Sequence, residues 1–333
     1  MINYPTGSKL ELSEKCLGWH TVDEPPAPVI PQVNKPAEFG SYMHSVAENE
    51  TLRRFAPDSL DRISRSMTAE QEAAFNPYYD DEIGAPMDSE SWGASVVALQ
   101  DELFKTFKPY GMPHIESVGF ATILDDTIFQ ATAGLNIKNR NYDRSAGIYG
   151  TGDVIYCTAD GDLVVCDWKT GKKAISPENN PQLDFLAFCW LSDWRYLATK
   201  SGVVWLVIGD IRNQELRIFK SSERAVYERT PLLTSIMRTD VRNTKLTAGP
   251  HCDLCPRAGN CPALLKKVTE ASVKDPTTLS ADELAEIAIL ARKLNKEYRE
   301  ILIAKAEADE TFRSKFLTKG PKGWRLSAYD AKE

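Results

Sequence analysis

The chain has 333 residues, 42% of them hydrophobic and 26% charged, so it can bury a large core in one or two domains. No apolar run approaches the roughly 18 residues that a membrane-spanning helix requires, and we expect no membrane partner. The net charge of −7 excludes a uniformly basic protein that binds nucleic acid by charge alone. The acidic excess lies in residues 1–100, with 16 Asp and Glu against 7 Lys and Arg, whereas the remainder has 31 against 33.

The predicted elements follow an entry segment, residues 1–38, in which five prolines from Glu24 to Pro36 indicate an extended linker. Hydrophobic periodicity then predicts helices, and short apolar runs predict strands. The helices are expected at Phe39–Arg54, Asp58–Phe75, Ser91–Phe107 and Pro181–Thr199. The strands are expected at Ile115–Leu124, Ile128–Ala133, Val154–Thr158, Leu163–Trp168, Val203–Ile211 and Glu215–Phe219. This alternation predicts an α/β fold with a mixed central sheet flanked by helices.

The C-terminal third is predicted to be mainly helical. A helix at Ser222–Arg242 precedes a cysteine loop, and a capping box of Ser280 and Glu283 starts a helix that runs toward Ala308. The tail Gly320–Arg325 combines basic and aromatic residues, which suits contact with phosphates and stacking on a base. The expected segments are residues 1–38, a core at 39–245 with a helical insertion at about 55–110, the cysteine loop at 246–270, and a C-terminal helical extension at 271–333.

The strands between Val154 and Trp168 carry the strongest sign of a reactive site. An Asp-Gly pair between them favours a tight hairpin turn. Asp153 opens the first strand and can meet Asp167 across the pair, with Lys169 on the same face as Asp167. An Asp inside an apolar strand costs free energy unless something binds it. Two converging carboxylates beside an ammonium suit a hard divalent cation and an attacking water.

These residues and their order resemble the PD-(D/E)XK nuclease superfamily, and within it the RecB-like exonuclease branch. The family places a Gly-x-x-Asp before a strand with Asp/Glu-x-Lys, then a helix that opens with a Gln, and an upstream His on a helix after a Gly. The matching residues here are Gly150-Thr151-Gly152-Asp153, Asp167-Trp168-Lys169, Asn180-Pro181-Gln182 and, after Gly40, His44. Leu186 departs from the pattern, because the family often has a Tyr four residues after the Gln. The resemblance implies a restriction-endonuclease-like sheet with a helical N-terminal region.

The resemblance also implies an activity, that of a Mg²⁺- or Mn²⁺-dependent deoxyribonuclease acting as an exonuclease. The implied catalytic residues are Asp153, Asp167, Lys169, Gln182 and His44. The two carboxylates, the backbone carbonyl of Trp168 and the His44 ring would hold the ion, while the lysine and the glutamine would orient the water or the substrate strand. The substrate would be DNA ends or single strands in phage-type recombination, replication or repair, with recombination or replication proteins as partners. The implied location is the cytoplasm of a bacterium or a phage-infected host cell.

Several alternatives stay open at this point. Glu116, early in the first predicted strand, is either an additional metal ligand or a partner of Lys169. The chain could also be a non-catalytic DNA-binding or assembly subunit with a degenerate nuclease fold and a metal staple, or a hydrolase of another phosphodiester such as RNA. The presence of Asp153, Asp167 and Lys169 together favours a catalytic protein, because a degenerate copy would be free to lose them.

A separate metal site is predicted from the cysteines. Of the seven, Cys252, Cys255 and Cys261 form a C-x2-C-x5-C cluster. An odd number in a long chain with no predicted signal peptide argues against a disulfide framework and favours metal binding. His251 would complete a zinc site, whereas Cys16 would complete an all-thiolate site for an iron–sulfur cluster. The remaining cysteines lie in apolar runs and are expected in the core: Cys157, Cys166 and Cys189.

The cysteine spacing resembles that of AddB-type nucleases and of the iron–sulfur nucleases of CRISPR systems. Those proteins place one Cys before the nuclease core and three after it, and the four hold [4Fe-4S]. The resemblance therefore implies that Cys16, at the end of a short helix in Gly7–Cys16, is the fourth ligand. We expect the cluster to act as a structural clasp that holds the N-terminal segment and the His44 helix against the nuclease core.

Overall fold

The structure, a computed structural model, describes residues 4–22, 35–57, 89–123, 129–135, 145–171, 174–193, 201–238, 245–308, 317–320 and 323–326. The helix expected at Asp58–Phe75 lies outside these ranges, as does most of the proline-rich linker. The chain divides into two compact units. The first comprises residues 3–11 and 34–238, and the second comprises residues 12–33 and 239–333.

The first unit contains a six-stranded sheet in the order β2-β1-β3-β4-β5-β6. The strands are β1 (His114–Ile123), β2 (Phe129–Leu135), β3 (Ile148–Cys157), β4 (Leu163–Lys169), β5 (Val203–Asp210) and β6 (Glu215–Ser222). Strands β4 and β5 run parallel, and the other neighbouring strands are antiparallel. The prediction of a mixed sheet in an α/β fold is confirmed.

Helices flank this sheet. They are α2 (Lys35–Phe55), α3 (Ser89–Thr106), α4 (Pro181–Ser192), α5 (Glu223–Tyr227) and α6 (Thr230–Met237), while α1 (Leu10–Lys15) begins in this unit and ends in the second. Helix α4 connects the parallel pair β4 and β5, as such a pair requires a crossover. Asn180 caps α4 by accepting hydrogen bonds from the backbone of Gln182 at 3.1 Å and of Leu183 at 3.2 Å, and Pro181 occupies the first helical turn.

Two helix predictions differ from the described elements. Helix α4 ends at Ser192, because Asp193 adopts an extended backbone, and residues 194–199 of the expected helix lie outside the described residues. The helix expected at Ser222–Arg242 is two short helices, α5 and α6. Pro231 explains the break, since it cannot donate the backbone hydrogen bond that would continue α5.

The hairpin of β3 and β4 forms as predicted, but its first strand is longer. Thr158 N donates to the Asp162 carbonyl at 2.8 Å across the turn, and Gly161 supplies the positive φ of +86°. Strand β3 begins at Ile148 instead of Val154, so Asp153 lies inside the strand and does not open it. The sequence prediction stopped short because the glycines at 150 and 152 have low strand propensity, whereas here Gly150 makes room for Phe185 of α4 and Gly152 makes room for Ile155 of its own strand.

The core lies between the sheet and its helices. One cluster joins α2 and α3 to the sheet, with members such as Met43, Trp92 and Leu103 packing with Cys166 and Trp168. Side chains alternate along a strand, so the neighbours of Trp168 in β4 point away from this cluster. They point to the side of the sheet on which α4 begins, and this arrangement places the polar residues of β4 beside the helix start.

The second unit is built around the cysteine loop. Two short 3-10 turns, Pro250–Leu254 and Ala258–Asn260, shape the loop, which runs into α7 (Pro262–Ser272), so the expected loop at 246–270 is partly helical. Helix α8 (Ala281–Ala308) starts at the predicted capping box, with Ser280 N donating to Glu283 Oε2 at 2.9 Å and Glu283 N to Ser280 Oγ at 3.2 Å. A hairpin of β7 (Leu317–Gly320) and β8 (Gly323–Leu326), which was not predicted, follows.

Candidate active site and cysteine cluster

Three of the expected catalytic side chains meet where β4 ends and α4 begins. Lys169 Nζ forms an ion pair with Asp167 Oδ2. Gln182 contacts both residues: its Nε2 donates to Asp167 Oδ1 at 2.9 Å, and its Oε1 accepts from Lys169 Nζ at 3.3 Å. The amide of Gln182 therefore fixes the carboxylate and the ammonium relative to each other.

Asp153 lies beside this group and is joined to it by the backbone of β4. Trp168 N donates to Asp153 Oδ2 at 2.6 Å, while Asp153 Oδ1 lies 2.9 Å from His44 Nδ1. His44 reaches the sheet because α2 approaches the end of β4 at Gly40, one helical turn before His44. A Cβ on Gly40 would lie 3.3 Å from Thr170 Oγ1, so a larger residue there would require Thr170 or the helix to shift by a few tenths of an ångström. The structure thus brings all five expected catalytic side chains into one cluster.

Glu116 is the member of the cluster whose role the sequence left undecided. Its Oε1 lies 3.8 Å from His44 Nδ1. Glu116 lies between Ile115 and Ser117, whose partners Val154 and Gly152 flank Asp153 on β3. Its φ of +46° is uncommon for a residue with a side chain and is typical of strained backbone at functional sites. The sequence shows that a charged residue lies within a predicted strand, but it does not show that this residue has a left-handed backbone.

The set formed by His44, Glu116 and Asp153 has the spacing of a metal site. One ligand atom from each residue lies within 4.8 Å of the other two. Imidazole nitrogen and carboxylate oxygen are ligands of Mn²⁺ and similar divalent ions, and carboxylates are the usual protein ligands of Mg²⁺. The donor set therefore fits a hard divalent cation.

Burial separates the closed and open sides of the cluster. The side chains of Asp153 and Asp167 are 7% and 3% exposed, whereas those of His44, Glu116 and Lys169 are 29%, 20% and 25% exposed. A ligand can therefore approach past the histidine, the glutamate and the lysine and reach carboxylates that are shielded from bulk water. Charges on such shielded groups interact more strongly than charges in water.

The electrostatics of the cluster favour a bound cation. Burial raises the pKa of Asp167 to about 6, although the charge of Lys169 opposes this shift. Burial would also raise the pKa of Asp153, but the charge and hydrogen bond of His44 lower it overall. The charge of Asp153 in turn raises the pKa of His44 well above its usual value. Without a metal, the proton on His44 and the ammonium of Lys169 offset the buried negative charge, and a divalent ion could replace the proton on His44.

Neighbouring apolar residues hold this geometry in place. Trp168 is 1% exposed and covers Gly209 of the adjacent strand β5, where any Cβ would overlap the indole ring. Leu186, at the position where the resembled family often has a Tyr, is fully buried and packs toward Gly152. This position of α4 therefore serves packing in this chain and offers the cluster no polar group.

The predicted cysteine cluster lies in the second unit. Cys16, Cys252, Cys255 and Cys261 are all buried and line one small cavity. Backbone N–H groups point at two of the sulfurs, from Thr247 to Cys16 at 3.4 Å and from Gly249 to Cys252 at 3.5 Å. Such N–H···S contacts are among the features that tune protein-bound iron–sulfur clusters. His251 also lines the cavity, and its Nε2 lies 2.9 Å from the Thr247 carbonyl oxygen.

The thiols of Cys16, Cys252 and Cys255 would be neutral in the absence of metal. Burial raises the pKa of Cys255 to about 11, with smaller contributions from the neighbouring thiols. Burial likewise raises the pKa of Cys16 and of Cys252, opposed in each case by a backbone hydrogen bond. Metal binding requires the thiolates, so a bound metal would release these protons and stabilise the unit. The other three cysteines lie outside this cavity, and Cys166 and Cys189 are fully buried in the first unit.

The fold and the site define an α/β protein with a buried carboxylate–lysine–glutamine cluster beside a candidate metal-binding triad. The chain belongs to the family described as "Protein of unknown function (DUF2800)", whose model matches residues 31–327. None of the curated proteins matches the chain. Among the helices that the structure describes, none is long and apolar enough to cross a membrane.

Proposed function

We propose that the first unit is a metal-dependent DNA exonuclease with a restriction-endonuclease-like core of the RecB-like branch. The observation that carries this proposal is the continuous set of contacts from Glu116 and His44 through Asp153 to Asp167, Lys169 and Gln182. A surface hairpin would not need two carboxylates that are almost fully buried. The order of the contributing elements, with the histidine helix first and the glutamine helix last, also agrees with the resemblance.

In this proposal the metal ligands are Asp153, Asp167, the Trp168 carbonyl and His44, with Glu116 as a ligand of the same centre. Bound Mg²⁺ or Mn²⁺ would lower the pKa of a coordinated water and stabilise charge on the phosphate. Gln182 holds the Lys169 ammonium beside Asp167. There the ammonium can orient the attacking water and offset charge that builds up on the phosphate oxygens. A phosphodiester could approach the cluster from the side on which His44, Glu116 and Lys169 are partly exposed.

We propose [4Fe-4S] as the cofactor of the second unit, with Cys16 as the fourth ligand. Four buried thiols around one cavity, with backbone N–H groups directed at two sulfurs, support this assignment. Zinc bound by three cysteines and His251 is the alternative occupant. Anaerobically purified protein with a broad absorbance shoulder near ~400 nm and matching iron and sulfide would support the cluster. Colourless protein with one zinc would reject it.

The substrate, partners and location follow from the same proposal. We expect DNA ends or single strands to be degraded, with recombination or replication proteins as partners in a bacterial or phage-infected cell. An RNA substrate would use the same cluster, so the assay includes linear double-stranded DNA, single-stranded DNA and RNA. Release of nucleotides from DNA but not from RNA would support the proposed substrate class.

The experiment that tests the activity compares Asp167→Ala and Lys169→Ala with the wild-type protein. Each variant should lose divalent-metal-dependent DNA hydrolysis by at least about a thousandfold while keeping its circular dichroism spectrum. Asp160→Ala is the matched control, because Asp160 is an exposed carboxylate on the turn of the same hairpin. Undiminished DNA degradation by either site variant would refute the assignment, and an inactive wild-type protein that binds DNA would favour the assembly-subunit alternative.

A further inference from the structure

Arg257 is a buried arginine inside the cysteine loop. It lies between Cys255 and Cys261 in sequence, is 4% exposed, and lines the same cavity as the four thiols. An arginine is rarely buried to this extent unless its donors are used. The donors of its guanidinium group are therefore expected to bind other parts of the chain.

The guanidinium group contacts the chain segment that follows Cys16. Arg257 Nη1 donates to the backbone carbonyl oxygens of His20 and Val22, which are 237 and 235 residues away in sequence. Its Cζ also lies 5.8 Å from the centroid of the Trp19 ring. One side chain from the three-cysteine loop therefore contacts three residues of the segment that carries the lone cysteine.

The Cys16 segment is a compact turn that one anchor can position as a body. Cys16 N donates to the Leu12 carbonyl at 2.9 Å, and Trp19 N donates to the Cys16 carbonyl at 3.2 Å. Trp19 Nε1 donates to Ser13 Oγ at 2.9 Å, which ties the indole ring to α1. Holding residues 19–22 in place therefore also fixes the direction of the Cys16 side chain.

We propose that Arg257 is a positioning residue that seats the Cys16 segment so that Cys16 can serve as the fourth ligand of the thiolate centre. This inference rests on the proposed iron–sulfur cofactor. The guanidinium group suits the task because its planar array of donors can satisfy two carbonyls while its face packs on an aromatic ring. A lysine would keep the charge but would lose this fixed geometry, so Arg257→Lys is not a conservative change here.

The experiment measures the cluster directly in full-length protein purified without oxygen. In Arg257→Lys and Arg257→Gln, Cys16 would no longer be held at the cluster, and three thiolates would remain. We expect iron content to fall by about one atom per chain. After one-electron oxidation with ferricyanide, we expect the electron paramagnetic resonance spectrum of an oxidised three-iron cluster. Arg292→Gln is the matched control: this arginine lies in the same unit, is 71% exposed, and binds Asp253 beside Cys252.

A double-mutant cycle separates positioning from general destabilisation. Arg257→Gln should raise the rate at which a chelator bleaches the cluster by about tenfold or more in wild-type protein. In Cys16→Ser protein, where the three remaining thiolates would hold a three-iron cluster, the same change should raise the rate by less than about twofold. An equal increase in bleaching rate in both backgrounds would overturn the inference. So would Arg257→Lys and Arg257→Gln proteins that have the iron content, spectrum and bleaching rate of the wild type. If the wild type contains zinc, the proposed cofactor is wrong. Less zinc in the Arg257 variants would then support a positioning role for Arg257, and an unchanged zinc content would overturn it.

Discussion

Replacing Gly209 by Ala should destabilise the first unit and disturb the candidate active site together. Gly209 on β5 pairs with Trp168 on β4. A Cβ at Gly209 would lie 1.9 Å from Trp168 Cε3 and 2.0 Å from Cζ3, which are distances that real structures do not contain. The indole ring must therefore move. The flanking residues Asp167 and Lys169, and the Trp168 N–H that binds Asp153, would move with it.

The expected cost follows from the surroundings of the ring. Trp168 is 1% exposed and packs with residues of α2 and α3, so it has little space into which to shift. Overpacking of a close-packed core typically costs 1–3 kcal/mol, and we expect about 3 kcal/mol because the ring is rigid and both strands are central. A loss of this size lowers Tm by roughly 6–12 °C for a unit of 150–250 residues.

Thermal unfolding followed by circular dichroism measures this effect. Gly171→Ala is the control, because nothing lies within 4 Å of a Cβ at that glycine near the end of β4, and its Tm should change by no more than about 2 °C. Trp168→Phe removes the six-membered ring of the indole that causes the overlap, so Gly209→Ala should cost less in that background. A Gly209→Ala protein with the wild-type Tm and activity would refute the packing argument.

The remaining predictions concern the two candidate metal sites. Asp153 raises the pKa of His44 well above its usual value of 6.5. The ion pair therefore stabilises the metal-free protein fully below pH 6.5, and this stabilisation is lost as the pH rises through the raised pKa. Tm should fall with rising pH while Mn²⁺ affinity increases, and His44→Gln should flatten both pH profiles. Glu116→Gly should relieve the positive φ of +46° and raise stability by about 1 kcal/mol while weakening Mn²⁺ binding about tenfold, as measured by unfolding and calorimetry. The exposed turn residue Gln214, with a φ of +53°, is its control, because Gln214→Gly should raise stability without changing Mn²⁺ affinity. Cys16→Ser should lose the four-iron cluster and roughly 5 kcal/mol of stability, because a metal site that joins residues 16 and 252 closes a very long loop; unchanged metal content and Tm would make His251 the leading fourth ligand.

The sequence predicted the parts of the fold that depend on local chemistry. The Asp-Gly turn, the apolar runs of β4 and β5 and the capping box at Ser280 are all encoded by neighbouring residues, and the corresponding elements formed as expected. The start of β3 was misplaced because Gly150 and Gly152 have low strand propensity. Their role becomes clear only in the folded strand, where a Cβ at Gly150 would overlap Phe185 of α4 and a Cβ at Gly152 would overlap Ile155.

Long-range geometry set the limit of prediction for the candidate site. His44, Asp153, Asp167, Lys169 and Gln182 could be named because they match a pattern along the chain. The contribution of Glu116 depends on a left-handed backbone opposite β3, and that of Arg257 depends on contacts 235 residues or more apart in sequence. Neither can be derived from local propensity, since both arise from the way distant segments pack together.

Hydrolysis of linear DNA by the purified wild-type protein, with Mn²⁺ or with a chelator, tests the central claim most directly. The account predicts release of nucleotides that requires the divalent ion and that disappears in Lys169→Ala protein of the same Tm. The lysine is the informative position, because its loss leaves the carboxylates and their capacity to bind metal in place. Wild-type protein that binds Mn²⁺ at the cluster but releases no nucleotides from any DNA substrate, or a Lys169→Ala variant as active as the wild type, would contradict it.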